Sequence, residues 1–269
     1  ISVGVGGVQA SQGVFDVAGA LAISADGSLI AFASASPGLV PDDFNDAPDV
    51  FLHDRRTGVT ERVSLGDGGQ EANASSFGWG VSAIGVSADG LLIAFDSEAS
   101  NLVAGDANGA ADVFARDRVA GRTWRISVGV RGEEANSAAR APVVAADGAA
   151  VAFTSAATNL VPGVTNGVAH VFAHDLAARA TTVVSVASDG TVGDASSGGV
   201  SISADGRLVA FASFASNLVA DDTNGIRDVF LHDRLTGITD RVSLTATGNW
   251  RLIFRYDEET NTASDIDLI

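Results

Sequence analysis

Three loops carry the residues best suited to chemistry. An Asp-x-Asn-x-x-x-Asp pattern recurs as Asp43, Asn45, Asp49, then Asp106, Asn108, Asp112, then Asp222, Asn224, Asp228. Oxygen ligands alternating in a glycine-containing loop could converge on a hard cation, and Ca²⁺, which takes six to eight oxygens, is the cofactor this pattern admits. Gly109 and Gly225 follow the asparagine in two copies. The spacing lacks the fifth-position Asp and distal Glu of an EF-hand loop. The competing reading is turn chemistry, in which Asp and Asn bond their own backbone. The remaining copy, third along the chain, has Val164, Asn166 and His170 and so loses two carboxylates. If these loops bind calcium, the three should do so and that one should not; otherwise all four are turn chemistry.

Histidine offers a second constellation. His53, His174 and His232 share one repeat position, with Arg116 in the second copy, and the histidines precede Asp54, Asp175 and Asp233. Neighbours on a strand point to opposite faces, so such pairs cannot act together, and packing is the expected role. There is no cysteine, no Gly-x-Ser-x-Gly elbow and no phosphate-binding glycine loop. No catalytic residue is assigned.

The elements that position these loops come in four copies. The anchor glycines Gly27, Gly90, Gly148 and Gly206 are spaced by 63, 58 and 58 residues. A fixed period of this size means a repeat array whose units bury their faces on their neighbours. Each copy holds four short runs rich in Val, Ile, Phe and Thr, bounded by turn residues, which read as strands. Asp-Gly joins the first two and predicts a type I′ hairpin. The second run is apolar at nearly every position, as in Leu92-Ile93-Ala94-Phe95, so both faces must be covered. Phe32, Phe95, Phe153 and Phe211 are the expected core. The second-to-third connection is 14 residues long in every copy (35–48, 98–111, 156–169, 214–227) and carries an apolar Leu-Val anchor.

The expected fold is all-β: a β-propeller of four-stranded antiparallel blades. The blades fall at about 19–65, 81–128, 140–186 and 198–244, with a partial fifth blade or a foreign tail at 248–269. Ile1-Ser2-Val3 matches the ends of the fourth strands and could close the ring. With no methionine and an ISVGV start, the chain reads as a processed product or excised piece.

The motifs SADGxxxAF, SNLV, DxNGxxDVF and HDRxTG, in that order, resemble the PD40 class of WD40-like repeats found in TolB-type propellers, over residues 19–244. That resemblance implies an extracytoplasmic binding scaffold or, alternatively, a propeller domain attached to a peptidase or glycosidase. The segment GNWRLIFRYDEETNTASDIDLI also resembles the last strands of RelE/HigB-like toxins, over about 22 residues.

Charge narrows the partners. The net charge is −17, and all 16 basic residues are arginine. Such a chain repels nucleic acid phosphates, and no apolar run reaches the length of a membrane span. The long loops and the linkers 66–82, 129–142 and 187–200 should share one side. Together they hold 13 acids against three arginines, while Arg55, Arg56, Arg118, Arg122, Arg179, Arg207 and Arg234 belong to the opposite side. A protein or other cationic ligand docking on the acidic side is expected, with Glu133, Glu134 and the aromatics Phe77 and Trp79 of the longer first linker as contacts.

Overall fold

A computed structural model describes residues 10–11, 19–78 and 82–242, together with backbone strands at 252–257 and 262–268. It is built from antiparallel sheets, with no helix among the described residues. Blade one is β1 (Leu21–Ile23), β2 (Leu29–Ser34), β3 (Asp49–Asp54) and β4 (Val59–Arg62). Blade two is β5 (Ile84–Val86), β6 (Leu92–Ser97), β7 (Asp112–Asp117) and β8 (Arg122–Arg125). Blade three is β9 (Ala139–Val144), β10 (Ala150–Ser155), β11 (His170–Asp175) and β12 (Ala180–Val183). Blade four is β13 (Ser197–Ile202), β14 (Leu208–Ser213), β15 (Asp228–Asp233) and β16 (Ile238–Arg241). Each meanders in chain order. A two-stranded hairpin, β17 (Leu252–Asp257) and β18 (Thr262–Leu268), follows. The proposed pairing of residues 1–3 into a last blade lies outside the described residues.

Blades stack by one rule. The alanine-rich face of each sheet meets the phenylalanine face of the next: Ala31, Ala33, Val50 and Leu52 pack with Phe95 and Phe114. The four predicted core phenylalanines are at most 1% exposed. Each stacks on a partner of the third strand, with ring centroids 5.7 to 6.0 Å apart. Offset aromatic pairs at such distances add to the burial of large apolar area.

The Asp-Gly turns differ from the expected type. Gly27, Gly90, Gly148 and Gly206 have positive φ, but the aspartates before them do not. The Gly27 amide donates to Ser24 O at 2.9 Å, while Asp26 Oδ1 accepts from Ser24 Oγ and the Ser28 amide. This is a type I turn followed by a left-handed glycine bulge. Asp keeps negative φ because its carboxylate is occupied capping the turn. At the other hairpin, Gly58, Gly121 and Gly237 take positive φ, and Arg179 adopts φ 51° where blade three lacks glycine.

Polar clamps cross between blades at their outer strands. Thr123, Thr181 and Thr239 donate their hydroxyls to Leu65 O, Val128 O and Val186 O of the preceding blade. His174 and His232 bond these threonines through Nδ1 at 3.0 and 2.8 Å. Because each hydroxyl proton goes to a carbonyl, Nδ1 must be the donor. In blade two Arg116 Nη1 supplies the same donation to Thr123 at 2.9 Å. The histidines are packing residues, as expected, and they serve separate junctions. The neighbouring aspartates cap turns instead, as Asp54 Oδ1 does for the Arg56 amide.

Candidate functional site: carboxylate clusters around buried arginines

The 14-residue loops connect second strand to third with the predicted bounds. Leu39, Leu102, Leu160 and Leu218 anchor them, none more than 2% exposed. Each asparagine folds its loop: Asn45 Oδ1 accepts from the Ala47 amide, and its Nδ2 donates to Asp49 Oδ2 and Ala72 O. Since Ala72 is in the linker, loop and linker share one end of the blade. The next blade joins in, as Asn101 Nδ2 donates to Glu71 O at 2.7 Å.

The aspartates do converge, with a third carboxylate from the linker: Asp43, Asp49 and Glu71, and likewise Asp106, Asp112 and Glu134, hold oxygens within 4.8 Å of one another. At their centre sits a guanidinium. Arg62 Nη1 lies 2.6 Å from Glu71 Oε1, 3.3 Å from Asp49 Oδ2 and 3.6 Å from Asp43 Oδ1. Arg125 Nη1 lies 2.7, 3.4 and 3.5 Å from Glu134, Asp112 and Asp106. In blade four Arg241 Nη1 is 3.3 Å from Asp222 and 3.9 Å from Asp228. The point a cation would occupy is already taken by a positive charge on the last residue of the fourth strand.

Protonation follows from burial. Desolvation pushes Asp49 and Asp106 up to about 6, against the pull of the adjacent arginines. Asp49 is held further by Ser64, which donates to its Oδ1 at 2.5 Å. Glu134 is kept below its ordinary value, chiefly by the Ala107 amide. Glu71, despite some desolvation, is likewise held low by the Phe44 amide and Arg62.

Blade three exchanges the whole set. Asp, Asp, Arg and Glu become Val164, His170, Val183 and Val192. The hydrogen bonds survive without charge. His170 Nδ1 pairs with Ser185 Oγ at 3.0 Å, Nε2 with Asn166 Oδ1 at 2.8 Å, and Asn166 Nδ2 donates to Gly193 O. Burial lowers the His170 pKa from its ordinary value, favouring the neutral ring. Beside it, Pro162, Asn166, Val183 and Val192 line a cavity of about 500 Å³.

The other predicted contacts fare differently. Phe77 is 1% exposed and belongs to the core between blades one and two, so it is not a surface contact. The longer linker folds it inward because apolar area is available there. Trp79 lies outside the described residues. Glu134 is bound to Arg125, while half-buried Glu133 accepts from the Arg131 amide. The arginines at the cluster centres were missed by reasoning from loop spacing alone. Their signal was present: Arg62, Arg125 and Arg241 recur, and the position turns to Val183 in the copy whose loop loses its aspartates.

No protein-family model matches this chain, and no curated protein is detectably similar in sequence. Among solved structures, TolB from Acinetobacter baumannii superposes with a TM-score of 0.51 at 17% identity, covering 88% of this chain and 45% of that one. A putative TolB from Agrobacterium tumefaciens gives 0.52 at 16% identity, covering 89% and 66%. The fold is a TolB-like β-propeller. The chain thus spans between about half and two thirds of the length of these relatives. Nothing in the comparisons supports a toxin-like tail. No helix among the described residues is long and apolar enough to cross a membrane.

Proposed function

We propose that this propeller is a non-enzymatic binding module, working outside the cytoplasm, whose loop-and-linker end takes a cationic protein segment. The observation that carries this reading is the set of acids left over once the internal arginines are counted. Asp42, Asp46, Asp189 and Asp221 are exposed at that end, and among the described residues none forms an ion pair with an arginine. At the opposite end arginines are tied to structure, as Arg55, Arg118 and Arg234 donate to the carbonyls of Gly27, Gly90 and Gly206. Uncompensated surface charge of one sign steers oppositely charged partners. On this reading the buried clusters serve the fold, with arginine as the cation that their carboxylates face.

The test uses an arginine-rich peptide as probe, titrated at low and high salt. Binding is expected to weaken as salt rises, because exposed charges are screened beyond about 10 Å at 0.1 M. Reversing Asp42, Asp46, Asp189 and Asp221 to Lys should abolish it, mainly through the association rate. Replacing Arg55 and Arg56 should change nothing. Binding that is indifferent to salt and to the four reversals overturns the reading.

A further inference from the structure

The stacking rule leaves one face over. Val50, Val113 and Val171 occupy equivalent positions on the alanine-rich faces of the first three blades, each covered by the next blade and 0% exposed. Their equivalent in blade four, Val229, is 44% exposed. Leu208, Ala210 and Ala212 of β14 are half-buried, whereas β6 is buried at every position. Exposed Phe214 and Ile226 border this face. An open apolar sheet face of this kind requires a cover.

We infer that the C-terminal hairpin β17–β18 is that cover. A two-stranded hairpin is at best marginally stable alone and needs a surface to pack on. Its register sets Leu252 across from Leu268, Phe254 from Ile266 and Tyr256 from Ala263, a mostly apolar row, while Ile253 and Asp267 pair on the other row. The phenylalanine face of blade one is already filled, with Phe32 and Phe51 at most 1% exposed and Ala10 packed against them. That filling disfavours a second copy, which would have to offer its own blade one to continue the stack. Reach is sufficient. Ten residues separate Arg241 from Leu252, enough to span roughly 33 Å when extended. Crossing a four-stranded sheet takes only about 15 Å.

The absence of cysteine makes cross-linking clean. The pair Ala210→Cys with Phe254→Cys is expected to form a disulfide within one chain, seen as a reducible gel shift. The pair Ala210→Cys with Ile253→Cys, on the other row, is not. Failure of both pairs, or equal success of both, overturns the inference. Light scattering gives an independent reading that survives if a cysteine variant misfolds. The full chain should be a monomer, removal of residues 246–269 should cause concentration-dependent self-association, and Val229→Arg in the truncated chain should reverse it. A full chain that is already dimeric and is dissociated by Val229→Arg would assign the face to a second copy, against the inference. A truncated chain that remains monomeric would also overturn it.

Discussion

Arg125 Nη1 and Glu134 Oε1 meet at 2.7 Å although one ends the fourth strand of a blade and the other lies in the linker beyond it. The same arginine nitrogen faces Asp106 and Asp112 of the long loop. One side chain therefore ties together strand, loop and linker, the three segments that shape the proposed binding end.

Arg125→Ala should lower stability by about 3–5 kcal/mol, since removing one partner strands buried charge. It should also create what the native chain lacks. With the guanidinium gone, the three converging carboxylates are free to take Ca²⁺, so millimolar calcium should raise the melting temperature of Arg125→Ala and leave the wild type unmoved. A wild-type melting curve shifted by calcium or by chelator would refute the arginine-for-calcium reading.

Blade three supplies the reciprocal experiment. His170→Asp places a carboxylate beside Val183 with no cation to meet it, and should destabilise. Adding Val183→Arg should recover part of the loss, although Val183→Arg alone is also damaging. A denaturation double-mutant cycle should give a favourable coupling within the usual range of about 0.5–3 kcal/mol for contacting residues. Strict additivity would mean that the charge set is not a unit.

Acid should act through two opposing groups of residues. Burial lowers the pKa of His174 and His232 from 6.5, so the unfolded chain takes up protons that the folded chain refuses. Stability from these residues is lost as pH falls through 6.5. Asp49, Asp96 and Asp106 are pushed up to about 6 by burial. The folded chain then binds their protons first, and stability from them rises as pH falls from about 6 toward 4. Asparagine preserves the donor that faces Thr181 and Thr239 but does not titrate. The variant His174→Asn/His232→Asn should therefore lose less stability than the wild type between pH 7.5 and pH 6, measured by urea midpoints. Equal losses would remove these histidines from the acid response.

Phe153→Ala removes a fully buried ring stacked on Phe172 and should cost about 3–5 kcal/mol. The same change at Phe95 should cost a similar amount, because the two positions are equivalent by the repeat. A cost below 1 kcal/mol at either would contradict the packing described for the blades.

Much of the fold was legible because repetition averages out local ambiguity. The strand limits around the 14-residue loops, the buried Leu39 series and the stacked phenylalanines all followed from comparing copies. Three features did not. The Asp-Gly turns were misassigned in type because Asp26 has a competing use, accepting from Ser24 and Ser28. Phe77 looked like a surface aromatic because linker length says nothing about the direction in which a side chain is buried. The arginine centres were hidden because Arg62 lies 13 residues from Asp49 and 9 from Glu71, distances over which only the three-dimensional path of the chain brings charges together.

The cluster geometry bears on how such an array could grow by duplication. The members Asp43, Asp49, Arg62 and Glu71 begin inside one sheet and end beyond its last strand. A duplication bounded by the visible edges of a blade would copy the arginine and leave its strongest partner behind. A break after the linker glutamate would carry the arginine together with all three of its carboxylate partners. A module bounded in that way is out of phase with the structural one, offset by the 9 residues from Arg62 to Glu71. Blade three, changed at all four positions together, is what one viable departure from that module looks like.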